Sequence, residues 1–236
     1  MKVNLMPVIK ISNESFRAVP VFPLQGLHLF PQTILPLRIF EPRYLEMLEY
    51  VLEHEHLLAV ADVDPAQNHQ AKSRLRPVLG AGIVMDMKSQ SDGSKVIFLQ
   101  GITRLNFIEE RPQIHSFRQV HAEILFDEKT AAEPLTHVDY KIRSLLLHVA
   151  QGHSAMQDML HDILELSNTP EILSNVLSAK IEILSNMLNS NLVIDVALKR
   201  YLFEEINPRL RLESIYDELA DLCVESLENK KGVIIH

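Results

Sequence analysis

The chain has 236 residues, 47% hydrophobic and 23% charged, which supplies enough apolar material for one large domain or two small lobes and makes disorder the wrong default. Net charge is −8, and the surplus falls late: residues 1–130 carry 14 Lys+Arg against 15 Asp+Glu, while residues 131–236 carry 9 against 16, so the second half repels a phosphate backbone. The single cysteine, Cys223, excludes an internal disulfide and a thiolate-built zinc cluster.

Residues 1–17 read as a lead-in with one extended piece at Val8–Ile11. Their opening, MKVNLMPVIKIS, has neither the apolar core nor the cleavage site of a secretory signal. No apolar run along the chain approaches the roughly 20 residues that a membrane helix needs. The expectation is a cytoplasmic protein with no membrane partner.

From Ala18 to about Asp127 the signals are mostly β. The stretch Val21–Leu48, VFPLQGLHLFPQTILPLRIFEPRYLEML, sets prolines between short apolar runs. Each proline fixes φ, withholds a donor and pushes the residue before it toward an extended shape. That pattern predicts strand, ordered loop, strand over Thr33–Ile39, then a helix over Pro42–Glu53. Pro42 suits the first helical position. Tyr44, Leu45, Leu48 and Leu52 form the apolar stripe of that helix, opposite Glu46, Glu49 and Glu53. Leu57–Val63 returns to strand character, and residues 64–77 read as a polar surface loop. Lys72, Arg74 and Arg76 fall in that loop; they offer a local basic patch, which reads as a solvated linker.

Val78–Lys88 and Lys95–Glu109 flank Ser91-Asp92-Gly93, a tight-turn signal that predicts a hairpin. Gly80, Gly82 and Gly101 inside these strands predict bulges, as a sheet curling into a barrel requires. Arg118–Phe126 alternates as a further strand. After Asp127 the period becomes helical: Pro134 to Gln151, Ser154–Leu166, a helix capped by Thr169 and opened by Pro170, another over Asn191–Ile206, and a last one starting at Asn207-Pro208. The fold class is α+β, a curled β lobe over 18–127 and a helical lobe over 128–236.

The Val21–Leu48 block resembles the opening of the Lon protease N-terminal domain, the substrate-binding domain of ATP-dependent Lon proteases. Later pieces agree in order: Gly80-Ala81-Gly82-Ile83, the Asp92-Gly93 turn, LQGITRLNFIEE with Gly101 and Arg104, and Tyr201–Leu219 in the helical part. The likeness runs from about Ala18 to Leu222. It implies a PUA-like barrel lobe followed by a helical bundle, and recognition of unfolded or specific protein clients. It also implies docking to a partner, and the leading expectation built on it is an adaptor for a separate ATP-dependent protease or chaperone, or a scaffold. Lon proteins continue into an ATPase and a protease beyond the point matching His236, and no G-x-x-x-x-G-K-S/T phosphate cradle occurs in this sequence. The expectation is therefore a non-enzymatic binding module that needs no cofactor. RNA binding through the PUA-like lobe is the alternative; it demands a continuous basic stripe with exposed aromatics, which the charge balance opposes.

The candidate contacts for polypeptide are Leu27, Leu29 and Phe30 in the Gln25–Pro31 loop, and Met85 and Met87. The loop residues either offer apolar surface to an extended chain or plug the end of the barrel. Met85 and Met87 share a strand face with Ile83 and either point inward or, if exposed, adapt to varied partners. Arg38, Glu41 and Arg43 either bind a ligand carboxylate or, the favoured reading, form a partly buried structural Arg–Glu pairing at the strand-to-helix corner. The eleven histidines form no metal motif: His54-Glu55-His56 is not H-E-x-x-H, and Asp158, His161 and Glu165 share a helical face that reads as solvated. No nucleophile elbow or Cys/His pair is present, and Cys223 falls on an apolar helical stripe as an inert thiol.

Overall fold

The computed structural model describes residues 15–54, 57–64, 73–129, 132–150, 154–167, 169–188 and 196–232. The extended piece read at Val8–Ile11, Lys72, and the side chains of Glu165 and Cys223 lie outside the described part. The chain forms two compact units: one takes residues up to Gln25 together with Ile34–Leu125, the other Gly26–Thr33 together with Phe126–His236.

The first unit holds six described strands and one helix: β1 (Ser15–Pro23), β2 (Ile34–Ile39), α1 (Pro42–Glu53), β3 (Leu57–Asp64), β4 (Arg74–Ser89), β5 (Lys95–Glu110) and β6 (Arg118–Leu125). The strand order is β2-β5-β4-β3-β1-β6, and a further β5–β6 pairing closes five of the strands into a ring. β1 runs parallel to β3; the other pairings are antiparallel. β5 serves both sides of the closure. Its first half, Lys95–Gln100, pairs with β2, and its second half, Arg104–Glu110, pairs with β6. Between them Gly101 faces Gly82 across the ladder beside a register shift, where the absence of two side chains lets both strands bend.

A five-stranded ring is narrow, so its interior takes small side chains. Ala59, Ala61, Ala81 and Ala122 alternate inward there with Val19, Val21, Leu79, Leu105 and Val120. The strand period of two puts them on one face. β4 begins four residues earlier than the loop predicted over 64–77 allows: Arg74 pairs with Asp64 and Leu75 with Val63. The buried Leu75 is the apolar anchor that continues the strand.

In α1 the buried stripe is Tyr44, Met47, Leu48 and Val51, with Leu45 and Leu52 only half-buried. Met47 and Val51 complete the i, i+3, i+4, i+7 pattern that the charged neighbours obscure. His54 ends the helix: its amide donates to the Tyr50 carbonyl, and its ring stacks on Tyr50 at 4.1 Å.

The second unit holds α2 (Ala132–Ala150), α3 (Ser154–Leu166), α4 (Pro170–Leu188), α5 (Val196–Glu204) and α6 (Pro208–Gly232). Each buries a stripe, for example Val138, Ile142 and Leu146 on α2 and Leu212, Ile215 and Leu219 on α6. Thr169 caps α4, its hydroxyl accepting from the Ile172 amide at 3.4 Å. Asn207 caps α6, its side-chain oxygen accepting from the Arg209 amide at 3.0 Å, with Pro208 in the position where a missing donor costs nothing. Arg143 of α2 donates to the Ser167 carbonyl at 2.6 Å and so satisfies a backbone group past the end of α3. Among the described residues no helix is long and apolar enough to cross a membrane.

Candidate functional site

The Gln25–Pro31 loop is built by local turns and then buried. Gly26 takes φ 69° and Gln32 φ 63°, and Thr33 donates through its hydroxyl to the Phe30 carbonyl at 2.7 Å. Within the second unit, Phe30 meets Phe203 of α5 edge-on at 5.1 Å, and the His28 ring lies 4.9 Å from the same phenyl. Leu29 and Phe30 are 0% and 1% exposed. They are core, so the reading that offers them to a client is corrected; Leu27 is half-buried. The physical reason is plain: two large apolar side chains are stabilised more by permanent burial than by waiting in water for a partner.

Met85 and Met87 are 46% and 36% exposed. The inward reading fails for Met85, which is the unpaired residue at the β4 register shift between Val84 and Asp86, where a bulge breaks the alternation and turns it to solvent. Met87 stands in a cross-strand row with Ile97 and Leu37, which are buried, so it edges a covered face. Both methionines lie on the part of β4 that leaves the ring and pairs with β5 toward the turn.

The predicted corner divides. Arg43 donates from Nε and Nη2 to the Glu41 carboxylate at 2.9 and 2.6 Å, an exposed pair at the start of α1. Arg38 does not join it. It reaches the hairpin turn instead, donating to Asp92 and, at 3.1 Å, to the Ser94 hydroxyl. Asp92 also accepts from the Ser94 amide at 3.0 Å and hydroxyl at 2.7 Å. These Ser94 hydrogen bonds, with the Arg38 guanidinium beside them, hold the Asp92 carboxyl down at about 2. Gly93, at φ 82°, supplies the left-handed residue that this turn needs.

Asp158 and His161 are exposed, and no group of three or more metal-binding side chains occurs among the described residues.

Two clusters go beyond what the sequence reading assembled. One lies in the second unit. Arg211, 0% exposed, donates to both carboxylate oxygens of Asp127 at 2.9 and 2.8 Å. It also donates to the Glu205 carbonyl at 2.9 Å and the Ser174 hydroxyl at 3.0 Å. The signal was available: Arg211 precedes Ile215 and Leu219 by four and eight residues, so a cation falls on the apolar stripe of α6. The other cluster lies at one end of the strand ring. Arg74 and Arg76 of β4 and Arg118 of β6 line a cavity of about 420 Å³ with Asp64, Phe107 and Glu110. The two β4 arginines are strand residues there, which corrects their reading as a solvated loop; Arg118 lies 42 positions from Arg76, so only the fold brings it in.

The chain is thus a mixed α+β protein with a closed strand ring and a separate set of helices. The same fold occurs in the N-terminal domain of a Mycobacterium avium complex Lon protease, at TM-score 0.63 and 15% identity over 87% of this chain and 99% of that one. It occurs also in a Lon N-terminal domain protein from Xanthomonas campestris, at TM-score 0.54 and 19% identity over 85% and 97%. Residues 18–221 match the substrate-binding domain of the ATP-dependent protease La (LON), and the chain belongs to that family. It is 25% identical over 219 residues to Lon protease 1 of Bdellovibrio bacteriovorus and 20% identical over 222 residues to the Lon protease of Desulfosudis oleivorans. These alignments cover 91% and 90% of this chain but 26% of each relative, so the chain spans about a quarter of the length of the curated relatives it matches.

Proposed function

We propose that this protein binds polypeptide through exposed apolar side chains of its strand-rich unit and presents it, as adaptor or scaffold, to a separate ATP-dependent protease or chaperone. The reading takes the strand ring as a PUA-like lobe within 18–127, the helices as a bundle lobe within 128–236, and the setting as cytoplasmic. The observation that carries it is membership of the LON substrate-binding domain family. The exposed Met85 and Met87 support it locally, because flexible, polarizable thioethers repack against varied apolar partners. Capture then draws on apolar burial at about 25 cal/mol per Å², less the cost of ordering the bound chain.

The test is capture of a destabilised model protein against its native form. Preferential recovery of the unfolded form, reduced by Met85→Ser with Met87→Ser, supports the reading. Equal recovery of both forms, or recovery indifferent to the double substitution, sinks it.

A further inference from the structure

We infer that the cavity at one end of the strand ring is a binding site for an organic carboxylate with an apolar or aromatic body. Its walls are strand ends. Asp64 closes β3, Arg74 and Arg76 open β4, Phe107 and Glu110 close β5, and Arg118 opens β6. Antiparallel pairing brings these ends together, as the registers Asp64↔Arg74 and Glu110↔Val120 record. Mouths of small barrels are recurrent ligand positions, and about 420 Å³ lies in the range of small-molecule sites.

The three guanidiniums are not equivalent. Arg118 is spent: it meets both oxygens of Glu110 at 3.0 and 2.8 Å and the Ser73 carbonyl at 2.9 Å, with its side chain 14% exposed. It builds the wall. Arg76 gives one Nη to Asp64 at 2.6 Å and keeps 30% of its side chain exposed. Arg74 is exposed and has no ion pair among the described residues. Arg74 and Arg76 stand two positions apart on one strand, so their side chains leave the same face about 7 Å apart along it. Their unspent donors are the recognition elements, and a carboxylate is the planar acceptor that a guanidinium fork fits.

Two features select the ligand further. Among the described lining residues Asp64 and Glu110 offset two of the three cations, leaving a surplus of one positive charge, which matches a monoanion better than a dianion. Phe107 and Pro77, also in the lining, offer apolar surface that an inorganic ion cannot use. In a chain of net charge −8, a local positive cavity also runs against the general field, so the cations there are not a by-product of a basic surface. This site is independent of polypeptide capture and stands or falls separately from it.

The experiment is an amide chemical-shift titration of the full chain with 3-phenylpropionate, 3-phenylpropanamide and inorganic phosphate in turn. The expected result is saturable shifts confined to the amides of residues 73–76, 107–110 and 118 with 3-phenylpropionate, at a Kd on the order of 1 mM as befits a ligand of about ten heavy atoms. The amide and phosphate bind at least tenfold more weakly. Arg74→Gln, which breaks no ion pair, and Arg76→Gln each weaken the acid roughly tenfold, and Lys88→Gln, a cation near the far end of β4, changes nothing. The inference is overturned if no saturable shift occurs at these residues, if the neutral amide or phosphate binds as well as the acid, if Arg74→Gln and Arg76→Gln both leave the affinity unchanged, or if Lys88→Gln weakens it as much as they do.

Discussion

Arg211 and Asp127 are joined by two parallel hydrogen bonds of 2.9 and 2.8 Å, with the arginine side chain wholly out of solvent and the aspartate 28% exposed. The pair ties the segment that follows β6 to α6, and the Ser174 hydroxyl and Glu205 carbonyl take further donors of the guanidinium, leaving its buried Nε without a partner among the described residues. A buried ion pair gains little over an apolar substitute, but a half-removed one leaves a charge without its partner.

Arg211→Met therefore destabilises the second unit by about 3 kcal/mol, toward the low end of the range for breaking a buried pair because Asp127 keeps some contact with water. Asp127→Asn costs more, since it leaves the fully enclosed cation facing a neutral amide. Urea unfolding curves of the two variants, read by their midpoints at constant slope, check the order. Equal, near-zero shifts for both would show that the pair is not structural.

Asp92 makes the hairpin turn acid-sensitive. Its folded pKa, about 2, lies below the ordinary value of 3.8, so its contribution to stability is complete above pH 4 and is lost as pH falls from about 4 toward 2. Asp92→Asn removes this dependence, and Ser94→Ala weakens it by removing the hydroxyl donor. A carboxyl chemical-shift titration of Asp92 checks the value directly; a midpoint near 3.8 would refute the assignment.

Tyr44 responds at the other end of the scale. Burial raises its pKa above 10.0, partly countered by the Arg43 guanidinium next to it. A folded pKa above the unfolded one means that stability is intact below pH 10 and declines as the unfolded phenol ionises first. Tyr44→Phe flattens that alkaline decline. Tyrosinate absorbance, followed against pH in the folded protein and in denaturant, shows one late-titrating group that the variant lacks.

The loop and the hairpin arm respond to substitution in opposite ways. Phe30→Ala costs about 3–5 kcal/mol and Leu29→Ala about 2–5 kcal/mol, the penalty for emptying a closed site. Met85→Ser moves stability by less than about 0.5 kcal/mol, because its side chain already meets water, and Met87→Ser, at the edge of a covered face, costs about 1 kcal/mol. Thermal unfolding of the four variants checks the contrast; a large loss in the methionine variants would place them in the core after all.

Local chemistry wrote much of this molecule into its residue order. Pro42, Thr169 and Asn207-Pro208 mark helix starts because capping and φ restriction act within a few residues. Asp92-Gly93 marks the hairpin because a positive φ needs glycine. The period change after Asp127 marks the passage from strand to helix. Arg38 and Arg74 were another matter. Arg38 has an acidic neighbour three residues away yet binds Asp92, and Arg74 and Arg76 read as loop residues yet open a strand. Met85 followed strand alternation until a bulge, which depends on the partner strand, turned it outward.

Taken alone, the order of residues determined the element types, most of their starts, and the likeness to Lon N-terminal domains, since all of these rest on short-range sterics and periodicity. Only the tertiary structure decided that Leu29 and Phe30 are interior, that Arg211 is enclosed with Asp127, and that three arginines from two strands share one cavity. Those facts depend on which distant segments come into contact, and pairing of that range is set by the closure of the sheet and the packing of the helices, which no local pattern encodes.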